Sequence, residues 1–234
     1  MIQPEQQRRA YLEALGIDVW VPRDEPEPEV AAETADAAAA EPSAPPVRDG
    51  LDWAALRDAV SGCTQCVLHE TRTQTVFGVG NENADWMIIG EAPGAEEDRR
   101  GEPFVGRAGK LLDEMLRAVG QGRDKVFIAN ILKCRPPNNR DPKPGESAQC
   151  RGYLERQIEL VQPSVILAVG RIAAQLLLDT DTPVGRLRGK PHQLGSTPLV
   201  VTYHPAYLLR SPSQKRKSWQ DLCLARRVAA EASP

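Results

Sequence analysis

Trp86-Met87-Ile88-Ile89-Gly90-Glu91-Ala92-Pro93-Gly94 runs four apolar residues straight into a glycine-bounded turn. A short unbroken apolar run suits a strand buried on both faces, as in a parallel sheet covered by helices. Three further runs repeat the pattern: 126–131 (VFIANI), 164–169 (SVILAV) and 199–203 (LVVTY). Helical spacing of apolar residues occupies the intervals, over 51–60, 108–119, 146–161, 171–178 and 214–231. Alternation of this kind predicts an α/β fold, a three-layer α/β/α sandwich around a central four-stranded parallel sheet.

In open α/β sheets, ligands bind beyond the carboxyl ends of the strands. The residues expected there are Gly90, Glu91, Ala92 and Gly94 after the first strand, Asn130 at the end of the second, and His204 after the fourth. A carboxylate, an amide and an imidazole on one rim permit recognition of a small planar ligand. The imidazole can also stabilise developing negative charge.

Outside this body the composition changes. Residues 5–15 suit a short helix stopped by Gly16, and the Pro-, Ala- and Glu-rich stretch that follows cannot bury enough apolar surface to offset its ordering entropy. The expected organisation is a helical segment over 1–20, a flexible acidic linker over 21–50 and an α/β body over 51–234. Residues 1–50 hold 4 basic and 11 acidic residues, against 29 and 32 in the whole chain, so a mildly basic body follows an acidic leader. That asymmetry fits a nucleic-acid-binding domain with a solvated tail, and the leader is a candidate docking element for a partner. No stretch approaches the ~18 apolar residues of a membrane helix, and no apolar signal core opens the chain, so a monomer in the cytoplasm is expected, with no membrane partner.

Five cysteines remain to be placed: Cys63, Cys66, Cys134, Cys150 and Cys223. A disulfide framework is disfavoured in a cytoplasmic protein. The C-x-x-C pair Cys63/Cys66 together with Cys134 and Cys150 suggests one four-thiolate site, for which spacing alone admits either zinc or an iron–sulfur cluster. With all four ligands from the protein, such a site staples the rim rather than carrying out the reaction. Cys223, between Leu222 and Leu224, reads as a small core residue.

Several linked motifs carry a resemblance. Gly90-Glu91-Ala92-Pro93-Gly94 followed by Glu97-Asp98, then Pro103-Phe104-Val105-Gly106 and Ala108-Gly109, resembles the first motif of the family 4 uracil-DNA glycosylases, base-excision repair enzymes with a [4Fe-4S] cluster. The similarity continues through Thr71-Arg72-Thr73-Gln74, Asn130-Ile131-Leu132-Lys133-Cys134-Arg135-Pro136-Pro137 and His204-Pro205-Ala206-Tyr207-Leu208-Leu209-Arg210, covering about residues 51–230. It implies that Cys63, Cys66, Cys134 and Cys150 ligate the cluster, that Phe104 stacks on an extruded uracil, that Asn130 reads its edge and that His204 bonds to O2. It puts Leu208 or Leu209 where the superfamily inserts a wedge into the base stack. Arg210, Lys215 and Lys217 are expected on backbone phosphates, with Arg186, Arg188 and Lys190 as a second basic loop.

One departure from the wider superfamily matters. Better-known uracil glycosylases carry an Asp at the position of Ala92 and a Tyr at that of Gly94, so the attacking water must be placed otherwise, by Glu91, Glu97, Asp98 or a carbonyl. Glu91 and Glu97 are taken as site members. The expected activity is monofunctional hydrolysis of the N-glycosidic bond of uracil in single- or double-stranded DNA. The alternative is a non-catalytic iron–sulfur nucleic-acid-binding module on the same fold.

Overall fold

The computed structural model describes residues 50–232. The helical segment expected over 1–20 and the linker expected over 21–50 lie outside the described residues, Gly50 excepted.

The body opens with helix α1 (Trp53–Ser61), whose N-cap Asp52 accepts a hydrogen bond from the amide of Ala55 and whose C-cap is Gly62. Strands β1 (Val79–Gly80) and β2 (Trp86–Gly90) follow, then helices α2 (Ala95–Arg100) and α3 (Arg107–Ala118). Next come β3 (Val126–Asn130), α4 (Pro144–Val161), β4 (Val165–Val169), α5 (Arg171–Leu178) and the single turn α6 (Val184–Leu187). A hairpin of β5 (Pro191–Leu194) and β6 (Thr197–Thr202) leads into α7 (Pro205–Arg210) and α8 (Lys215–Ala232).

The strands form one mixed sheet in the order β1-β3-β2-β4-β6-β5. Its four central strands are parallel, in register from Gly90↔Asn130 on one side of β2 and Trp86↔Val165 on the other. The expectation of a four-stranded sheet therefore needs correcting to six. The two added strands are antiparallel edges, β1 on β3 and β5 on β6. Neither shows a strand pattern in sequence: β1 has two residues, and β5 is a half-exposed Pro-His-Gln-Leu. Proline at the first position of β5 is tolerated because an edge strand has no second neighbour to hydrogen-bond.

Alternate residues of each central strand enter opposite cores. Met87, Ile89, Phe127, Ala129, Ile166 and Ala168 pack under α1, α4 and α5. Trp86, Ile88, Val126, Ile128, Val165 and Leu167 pack under α3 and α8. Both faces are thus covered, which is why these strands read as unbroken apolar runs. Chain order reverses across β2, with β3 on one side and β4 on the other. That switch point opens a crevice at the carboxyl ends of the strands. Among the described residues no helix is long and apolar enough to cross a membrane.

Candidate active site

A cleft of about 840 Å³ occupies that crevice. Its walls include Glu91, Ala92, Gly94, Glu97, Phe104, Asn130 and His204. Gly90 lies beneath, buried at the end of β2. A Cβ there would stand 2.4 Å from Asn130 Oδ1 and 2.6 Å from Phe104 Cζ. Only glycine lets the amide and the ring approach each other over this strand end.

Phe104 is held in the left-handed region at φ 55°. For a bulky side chain this costs on the order of 1–3 kcal/mol and persists only where the surroundings enforce it. Three groups do so. Arg123 donates to the carbonyls of Pro103 (2.7 Å) and Phe104 (3.2 Å). Glu97 Oε1 accepts from the amides of Val105 (3.0 Å) and Gly106 (3.2 Å). Gly109 leaves room for the Phe104 carbonyl, which a Cβ would meet at 1.7 Å. The buried carboxylate of Asp98 accepts from the amide and hydroxyl of Thr73, tying α2 to the loop before β1.

His204 caps α7, and its Nδ1 accepts from the amide of Ala206 at 3.1 Å. The remaining proton of a neutral ring then sits on Nε2. Burial, reinforced by Arg210 and opposed by Glu97, pulls its pKa down to about 4, so the imidazole is a neutral donor at pH 7. Its ring stacks on Phe104 with centroids 5.7 Å apart and planes 29° apart. Asn130 is 2% exposed, and its Oδ1 is buried without a hydrogen-bond partner. A buried acceptor left unmade costs about 1–3 kcal/mol, which marks this oxygen as awaiting a donor from a ligand.

Glu91 is half-buried on the same wall. Burial pushes its pKa up to about 7, with Asp141 adding to the rise and Arg171 opposing it. Arg171 pairs with Asp141 at 2.6 Å. Glu97, by contrast, has one oxygen committed to backbone amides and acts as a clamp on the Phe104 loop.

The two leucines part company. Leu208 is 1% exposed in the core under α3 and α8, and Leu209 is 38% exposed. Arg210 lies on the cleft rim, and Lys215 and Lys217 are exposed at the start of α8. Arg188 does not belong to a free basic loop. It makes a bidentate pair with buried Asp221 (2.9 and 2.8 Å) and donates to the carbonyl of Lys217. Arg186 and Lys190 remain exposed beside it. Sequence reasoning missed Arg123, Asp141 and Arg171, which act through contacts between distant segments and carry no local signal.

Cys63, Cys66, Cys134 and Cys150 line one small void behind the cleft, together with Arg72, Lys133 and Tyr153. All four are free thiols. Cys63 and Cys66 follow α1, Cys134 follows β3, and Cys150 lies within α4. Glu146 anchors the start of that helix. It accepts from the Lys143 amide and from Arg140, whose guanidinium lowers its pKa. Arg72 Nη1 lies 3.0 Å from Cys134 Sγ. Burial pushes the Cys150 thiol up to about 12 and raises Cys66 and Cys134, so thiolates here require added positive charge such as a metal supplies. Burial likewise pulls the Lys133 ammonium down to about 7, and negative charge on Cys150 and Cys134 works the other way. Among the described residues no three of His, Cys, Asp or Glu are arranged to hold a single ion. Four thiols lining one void are the donor set of a thiolate-bound metal centre. Cys223 stands apart, half-buried on α8.

Residues 77–225 match the model of the uracil DNA glycosylase superfamily. The chain is 46% identical over 170 residues to the type-4 uracil-DNA glycosylase of Archaeoglobus fulgidus, covering 69% of this chain and 85% of the relative. It is 46% identical over 162 residues to the type-4 enzyme of Thermotoga maritima (68% and 84% covered). To that of Pyrobaculum aerophilum it is 41% identical over 182 residues (74% and 93%). A family match over residues 77–225, with type-4 relatives 41–46% identical over most of both chains, leaves one assignment: the chain belongs to the uracil-DNA glycosylase superfamily, and within it to the type-4 family.

Proposed function

We propose that the protein removes uracil from DNA, hydrolysing the N-glycosidic bond to release the free base and leave an abasic site. The observation that carries this is the convergence of the Phe104 ring, the unpartnered Asn130 Oδ1 and the neutral His204 imidazole on one cleft.

A base must leave the duplex before this chemistry can reach it, at a cost of a few kcal/mol. Phe104 offers the extruded ring a stacking face. Asn130 Oδ1 accepts from uracil N3–H while its amide group donates to O4. Cytosine inverts both polarities and leaves buried groups unpaired, about 1–3 kcal/mol each. As the C1′–N1 bond breaks, its electron pair passes to the base and negative charge builds on O2. His204 Nε2–H donates there. A neutral donor strengthens its bond as charge grows, worth roughly 2.7–4 kcal/mol by analogy with other oxyanion donors. Glu91, ionising near pH 7 on the cleft wall, orients the water whose oxygen bonds to C1′ and takes up its released proton. Glu97 is a positioning residue, because its carboxylate holds the loop that presents Phe104.

Leu209 is the wedge that fills the gap left in the base stack. Arg210, Lys215 and Lys217, with Arg186 and Lys190, hold backbone phosphates. Cys63, Cys66, Cys134 and Cys150 hold a [4Fe-4S] cluster, which supplies a cross-link joining the loop after α1 to the end of β3 and to α4.

The test is a uracil-containing oligonucleotide incubated with the protein and then treated with alkali. Cleavage at the uracil is expected with the wild-type chain, and about 10²–10³-fold slower formation of the alkali-labile site in His204→Ala. Tight binding without any abasic site would replace the enzyme with a non-catalytic nucleic-acid module.

A further inference from the structure

Five residues, Asn130 to Cys134, connect the cleft to the cysteine void, and the fourth of them is a buried lysine. Lys133 is 1% exposed and makes no ion pair with a carboxylate among the described residues. Its Nζ donates to the backbone carbonyl of Asn130 at 2.8 Å and to Gln157 Oε1 at 2.6 Å. Gln157, itself fully buried on α4, passes the connection on by donating to the carbonyl of Phe77 at 3.0 Å. Lys133 also borders the void shared by the four cysteines.

Lysine is almost never buried without a partner, because a buried charge is costly unless paired. A methionine would fill the same space at no such cost. The groups beside the lysine that would compensate it are the four cysteines of the void, once ligated as thiolates. One of the lysine's two hydrogen bonds, meanwhile, reaches the peptide that carries the base reader. The parallel ladder ends at Gly90↔Asn130, and the amides of Ile131 and Leu132 turn to the carbonyls of Gly90 and Glu91. The carbonyl of Asn130 is taken by the lysine. That bond on the carbonyl, with the Ile131 amide on the Gly90 carbonyl, holds both ends of the peptide following Asn130.

We infer that Lys133 is a positioning residue that couples the thiolate cluster to uracil reading: the cluster compensates the lysine, and the lysine holds the backbone of Asn130. This rests on the reading of Asn130 as the base-contacting amide.

The experiment uses purified holoenzyme of the wild type, Lys133→Met, Lys133→Gln and Asn130→Ala. Iron content, the reduction potential of the cluster, and kcat and KM on a uracil oligonucleotide are measured for each. Both Lys133 variants are expected to keep their iron and to reduce at a more negative potential, since a nearby positive charge is gone. Lys133→Met should lose about 10- to 100-fold in kcat, the scale of a slight misplacement of a site group, with KM unchanged because phosphate contacts set affinity. Lys133→Gln can still donate to the Asn130 carbonyl, so it should recover part of kcat but none of the potential. Should the methionine variant fail to fold, the glutamine variant carries both readouts. Wild-type turnover or wild-type potential in an iron-loaded Lys133 variant overturns the inference. Full activity of Asn130→Ala would instead sink the reading of the pocket, while the potential still reports whether the lysine serves the cluster.

Discussion

The cleft and the cysteine void lie at two ends of one five-residue segment and are built on opposite terms. The cleft is open, holds Phe104 in a strained left-handed conformation and leaves the Asn130 oxygen unpartnered. The void is small, and burial pushes the thiols of Cys66, Cys134 and Cys150 toward neutrality. Strain and an unmet hydrogen bond cost stability and make sense only where a ligand repays them. A closed set of four ligands makes sense where stability is gained. Under the proposed function, the contrast separates a region that carries the chemistry from one that holds it in place.

The sharpest way to break this division is Cys134→Ser. Loss of folded, soluble protein together with loss of iron is expected, read by visible absorption and thermal melting. A variant that melts like the wild type and fails only in turnover would move the cysteines into the reaction. Next in size is Glu91→Gln. Its kcat should fall about 10²-fold or more with the fold intact. Because Glu91 titrates near 7, wild-type kcat should rise with pH through that value and level off above it, as the carboxylate ionises. His204, neutral above about 4, adds no limb between pH 5 and 8. The limb near 7 should vanish in the glutamine variant, and its persistence would remove Glu91 from the water's path. The smallest effect separates the leucines. Leu208→Ala should lower stability by about 2–5 kcal/mol, as for other buried leucines. Leu209→Ala should leave the melt unchanged and slow excision from duplex DNA about tenfold, with little change on single strands, since only a duplex needs a wedge. The opposite pattern would exchange their roles.

Much of this was readable in advance. The four central strands show as apolar runs because both their faces are buried. Gly90, Asn130 and His204 could be located because the fold dictates where strands end. The edge strands were not readable, since two residues at Val79–Gly80 carry no periodicity and Pro191–Leu194 buries almost nothing. Leu208 and Leu209 are adjacent in sequence, and which one faces the core depends on how α7 sits against α3. Arg188 looked like one of several surface cations, and only the arrival of Asp221 from α8 makes it a buried partner. Lys133 left one hint, a charge embedded in the apolar run Ile131-Leu132-Lys133-Cys134, but its partners come from a helix 24 residues on and a carbonyl three residues back.

The most direct test of the central claim is a crystal structure of the protein soaked with free uracil. The base should lie flat against Phe104, its N3–H and O4 paired with the Asn130 carboxamide and its O2 within hydrogen-bonding distance of His204 Nε2. Uracil bound elsewhere, or a cleft left empty at saturating uracil, would contradict the account.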